Sequence, residues 1–123
     1  MAVRIFLAVM AIVWLPYGLY CFLDPSALRS MAGVMAGTPT AMTELRAMYG
    51  GLQSAIGALA LLATVRHDLE RPALVMLAAL LPGLAAARLL GLVLDGSWSS
   101  YTAMGLAFEI PGSLIAWLLL RRR

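Results

Sequence analysis

Four stretches of this chain, residues 5–23, 41–65, 73–94 and 101–120, are apolar over the length that a bilayer demands, and polar residues collect between them. A hydrocarbon core of about 30 Å takes about 20 helical residues to cross. The runs are continuous rather than alternating, so they do not fit the strands of a closed barrel. Helices are then the only spanning option. The predicted fold is all-α: a polytopic membrane protein built as a four-transmembrane-helix bundle, one domain over residues 1–123. Arg4 before the first run resembles the start of a signal peptide. The run is too long for one and no clean small-x-small site follows, so it reads as a retained helix.

The connections are short except after the first span. There Asp24-Pro25 reads as an N-cap followed by proline at the first helical position. Ala27, Leu28, Met31, Val34 and Met35 then recur at helical spacing, which predicts a short interfacial helix ended by Gly37. Thr38-Pro39 restarts a helix by the same capping logic. Arginines in short loops set orientation. Arg4, Arg66, Arg71 and Arg121–Arg123 fall on one side, against Arg29 and Arg46 on the other. Both termini are expected to face the cytoplasm.

Two charges interrupt the apolar pattern. Arg88 lies six residues before Leu94, about 9 Å deep, and Glu109 eight residues after Tyr101, about 12 Å deep, both measured from one membrane face. A charge at the centre of a membrane helix costs about 2.5–3.5 kcal/mol on insertion scales, and such residues pair or face polar cavities. The outer half of the second helix adds Glu44, Arg46, Tyr49 and Gln53. Arg46, Tyr49, Gly50, Gln53 and Gly57 share one helical face. So do Arg88, Gly91 and Asp95 on the third helix, and Thr102, Gly105, Glu109, Gly112 and Ala116 on the fourth. Small residues let membrane helices approach and polar ones bond across the gap, so these stripes are expected to face other helices. Trp14 and Tyr17, with Cys21, form a comparable face on the first helix.

The expected polar cluster is therefore Arg46, Tyr49, Gln53, Arg88 and Glu109, with Glu44, Asp95, Trp14 and Tyr17 in a second rank. Two readings of it compete: a charge clamp that fixes helix register, and a small polar site open to the outer face. The tryptophans fit core or interface-belt positions, and His67 fits a solvated loop.

Composition narrows the chemistry. The chain is 63% hydrophobic and only 12% charged, about half the charge of a soluble domain, so a nucleic-acid surface is excluded. One cysteine rules out an internal disulfide or a Cys-x-x-Cys pair. One histidine leaves no His/Cys metal site within a chain. No metal ligands are assigned, and no cofactor is indicated.

The segment Glu44-Leu45-Arg46-Ala47-Met48-Tyr49-Gly50-Gly51, together with Arg88-Leu89-Leu90-Gly91, Asp95-Gly96, Arg4-Ile5-Phe6-Leu7, Leu15-Pro16-Tyr17-Gly18 and Pro25, resembles a bacterial family of small four-helix membrane proteins. That family is described as domain of unknown function four-three-four-five, and it loosely resembles the broader DoxX-like membrane group. The resemblance covers nearly the whole chain and is most specific at Arg-Ala-x-Tyr-Gly-Gly. It implies a four-helix bundle in the bacterial inner (plasma) membrane and supplies no reaction.

Three functions compete. The first is a non-enzymatic membrane protein, an accessory subunit or a binder of an apolar or anionic ligand through the polar cluster. Its partners would be membrane lipids, a larger membrane complex or a homo-oligomer. The second is a small membrane enzyme acting on a lipid-like substrate, with Glu109 as acid/base. An adjacent arginine would hold that carboxylate ionised, and no Ser–His or thiol pair supports covalent chemistry. The third is a proton- or cation-coupled small transporter working as a dimer. There too, arginine at the same depth works against proton release.

Overall fold

A computed structural model describes residues 1–122 of the chain. Among them every regular element is helical, and four helices are long and apolar enough to cross a membrane. They are α1 (Ala2–Leu23), a continuous run over Pro39–Val65, α5 (His67–Asp95) and α6 (Ser100–Arg121). The second run comprises α3 (Pro39–Leu45), a π-helix, π1 (Arg46–Gly51), and α4 (Leu52–Val65). A short helix, α2 (Ala27–Ala32), follows the first span. The chain divides into two compact units, Val3–Glu70 and the residues from Arg71 onward, with α5 running through the boundary.

The termini obey capping chemistry. The Thr38 hydroxyl accepts the Ala41 N–H at 3.1 Å and Pro39 occupies the first turn, as Thr38-Pro39 predicts. Ser99 accepts the Thr102 N–H at 3.1 Å and starts α6. Two features of α2 differ from expectation. Asp24 bonds the Ser26 N–H at 3.1 Å and the Ser26 hydroxyl, so the helix begins at Ala27. It ends at Gly33 rather than Gly37. Gly33 has φ +70°, and the Gly33 and Val34 N–H groups bond back to Arg29 and Leu28, a turn that glycine makes without Cβ strain. Helix α5 starts at His67, six residues before its apolar run, with Asp68 and Glu70 in its first turn. Carboxylates there complement the helix dipole and extend the helix past the hydrophobic signal.

In the first unit, α1 packs antiparallel on π1 and α4 with very close backbones. A Cβ on Gly50 would stand 2.6 Å from Phe22 Cα, one on Gly18 2.6 Å from Ser54 Oγ, and one on Gly57 2.7 Å from Leu15 Cα. The contacts 50 with 22, 54 with 18 and 57 with 15 keep one register along the interface. This is the small-residue packing that replaces hydrophobic driving force in lipid.

Gly57→Val is expected to push α1 and α4 apart and cost about 1–3 kcal/mol, read as a lower melting temperature in detergent. Gly83→Ala, where an added Cβ meets nothing within 4 Å, should melt no lower than wild type. Equal melting of the two variants would contradict this packing.

Candidate functional site

The second unit brings Arg88 and Glu109 together. On α5, Arg88 continues the row of buried Leu81 and Ala85 at i+3 from Ala85, which turns its stem inward. On α6, Glu109 shares a buried face with Leu106, Gly112 and Ala116. The Arg88 Nε–H donates to both carboxylate oxygens, at 2.9 and 3.1 Å. Charge-assisted contacts at these distances are the strong class of hydrogen bond.

Three residues of α6, one turn apart, build the cradle. The Arg88 guanidinium lies over the Tyr101 ring, 5.4 Å from its centroid. It lies against Gly105, where a Cβ would stand 2.8 Å from Nε and 2.9 Å from Cζ, and it ends on Glu109. Gly105 is thus the gap through which Arg88 reaches its partner. Sequence reasoning missed Tyr101, although its i, i+4, i+8 spacing to Gly105 and Glu109 was available as a signal. Exposure is uneven across the pair: the Arg88 side chain is 27% exposed and that of Glu109 4%. The accessible end is the cation.

The other expected site residues, Asp95 apart, sit in the first unit. Arg46 donates through Nη1 to the Phe22 carbonyl and, at 3.4 Å, to that of Leu23. Its Cζ lies 5.7 Å from the Phe22 ring centroid. These carbonyls end α1, where helical partners run out and the dipole is negative, so Arg46 acts as a C-terminal cap delivered from π1. Tyr49 and Gln53 are half-buried. Trp14 is buried, Tyr17 half-buried, and Glu44 and Asp95 exposed.

A second charged cluster was not expected. Glu70 is fully buried. Its Oε1 accepts from Arg4 Nε at 3.1 Å and lies 2.9 Å from His67 Nδ1, while Arg4 Nη2 contacts His67 Nε2. His67 is therefore the first residue of α5, with both ring nitrogens engaged, and not a loop residue surrounded only by water. Beside it, exposed Arg66 and Asp68 pair at 2.8 Å. The hydrogen bond to Asp68 raises the Arg66 pKa above its ordinary value, a surface contact of small weight. Among the described residues no three His, Cys, Asp or Glu side chains are placed to hold a metal ion. Arg121 lies over Trp117 at 4.8 Å, an anchor pairing of aromatic and cation. Arg123, the last of the predicted basic tail, lies outside the described residues.

The family described as Domain of unknown function (DUF4345) matches the chain over residues 2–120. No curated protein and no solved structure matches it.

Arg88→Leu is expected to leave a buried carboxylate without its counter-charge and cost about 3–5 kcal/mol. The double variant Arg88→Leu/Glu109→Leu removes both charges and should recover most of that loss. Thermal unfolding in lipid discs measures both. A double variant as unstable as the single one would contradict the pairing.

Proposed function

We propose that this chain, which belongs to the DUF4345 family, is a non-enzymatic multi-pass membrane protein that binds an apolar ligand bearing an acceptor or anionic group at Arg88. The observation that carries the reading is the asymmetry of the ion pair. The Glu109 side chain is 4% exposed and that of Arg88 27%, so the arginine is the part of the pair that an incoming molecule meets. Arginine carries five N–H donors in a planar fork suited to oxygen acceptors, and intramembrane ionisable groups mark sites by default. Tyr101 and Gly105 position the fork.

The same asymmetry weighs against Glu109 as an acid/base or proton carrier. Its two oxygens are occupied by one cation and are 4% exposed at the side chain, whereas proton transfer needs hydrogen-bond reach to a substrate or water. The arginine distribution favours a plasma-membrane topology with both termini cytoplasmic. The chain then acts as a small subunit beside lipids, a membrane complex or a second copy of itself.

Native mass spectrometry of the protein released from its own membranes in mild detergent tests the reading. Wild type is expected to carry an added mass that the Arg88→Leu/Glu109→Leu double variant lacks while remaining folded. An adduct retained by the double variant, or a bare wild-type chain, would contradict it.

A further inference from the structure

The buried carboxylate of Glu70 joins the starts of two helices within the first unit. Arg4, in the first turn of α1, donates through Nε to Glu70 Oε1 at 3.1 Å. The same oxygen lies 2.9 Å from Nδ1 of His67, the first residue of α5. Arg4 Nη2 meets His67 Nε2 and closes a triangle of contacts.

Counting donors and acceptors fixes the protonation state that this triangle requires. A guanidinium has five N–H donors and no acceptor, so His67 Nε2 must accept from Arg4 with its lone pair. A neutral imidazole has one N–H, which then sits on Nδ1 and donates to Glu70. A second proton has only Nε2 to occupy, where it would face an N–H of Arg4. Protonation of the imidazole therefore breaks the Arg4 contact and spares the bond to Glu70. Charge acts in the same direction. With neutral His67 the triangle holds one arginine against one carboxylate; protonation leaves it net positive and sets two cations against each other. The neighbouring charges do not compensate. Exposed Arg66 and Asp68 pair with each other at 2.8 Å, and Arg71, one turn along α5 from His67, is a further cation.

The triangle is within reach of protons. The His67 and Arg4 side chains are 75% and 42% exposed, and only that of Glu70, at 1%, is buried. Helix α5 has 29 residues, about 44 Å, so centring it on a hydrocarbon core of about 30 Å leaves His67 in the interfacial layer. Imidazole is the side chain whose ordinary titration falls between about pH 5 and 8.

We infer that His67 is a proton-operated latch between the first turns of α1 and α5. With a neutral imidazole the latch is closed, and Arg4 is held by both Glu70 and His67. With a charged imidazole Arg4 keeps Glu70 and releases His67, and the two N–H groups turn to interfacial acceptors. Acid on that membrane face thus loosens the start of α1 without unseating the buried carboxylate.

His67 is the only histidine in the chain, so NMR of 15N-histidine protein in lipid discs reads it alone. At about pH 8 the proton is expected on Nδ1 with Nε2 bare, and at about pH 5 on both nitrogens, the two ends of the imidazole range. With arginine labelled at 13Cζ, a short Nε2–Cζ dipolar contact is expected at the higher pH and lost at the lower. With glutamate labelled at the carboxyl carbon, a contact to Nδ1 should persist at both. Arg66→Gln/Arg71→Gln, which changes two exposed side chains, should leave the Nε2–Cζ contact in place and so assign it to Arg4. A proton on Nε2 instead of Nδ1 at the higher pH would overturn the latch. So would an imidazole still neutral at the lower pH, an Nε2–Cζ contact that survives protonation, or its loss in the double variant.

Discussion

A charge in lipid must find its partner within the protein, and the Arg88–Glu109 contact meets that requirement here. Either residue alone at its depth would leave an unbalanced charge that lipid penalises. Together they fix the rotation of α6 about its axis, because Glu109 must face Arg88. They also fix the local spacing, because Gly105 must leave room for the guanidinium. Tyr101 covers the plane of the cation. A single ion pair thus sets side-chain identity at four positions. It also creates the feature on which the functional reading depends, a cation that stays partly exposed beside a buried carboxylate.

The first unit is held by other means. Backbone contact at Gly18, Gly50 and Gly57 brings α1 against the second span, and Arg46 closes the end of α1 through its last carbonyls. The π-turn at Arg46–Gly51 coincides with the Arg-Ala-x-Tyr-Gly-Gly segment. An added residue per turn reorients the side chains on either side of it. Arg46 is thereby carried to the end of α1 while Gly50 stays packed on Phe22. π-Turns in helices are frequently found at functional positions, and here the visible task of the turn is to deliver a cap.

Much of this was legible in the chain. Four apolar runs, the Thr38-Pro39 start and the pairing of Arg88 with Glu109 follow from length, capping and the cost of charge in lipid. What was not legible has physical reasons. Helix α5 begins six residues before its apolar run because carboxylates at a helix N-terminus are stabilising, which a hydropathy pattern does not register. Glu70 carries no sequence signal of its own; only the fold brings Arg4 and His67 to it. The face of the second helix was drawn with a 3.6-residue period, and the π-turn at Arg46–Gly51 shifts that period between Arg46 and Gln53. Tyr101 served only to mark the start of the fourth run, whereas its ring supports Arg88.

The central claim is that Arg88 and Glu109 are in direct contact through Nε in a bilayer. Solid-state NMR of protein carrying 15N-arginine and 13C-glutamate in lipid tests it most directly, by the dipolar coupling between arginine Nε and the glutamate carboxyl carbon. Two short contacts are predicted, Arg4 with Glu70 and Arg88 with Glu109. Glu109→Gln in the same labelling scheme should abolish one and leave the other. A spectrum in which Glu109→Gln removes no arginine–glutamate contact would contradict the account.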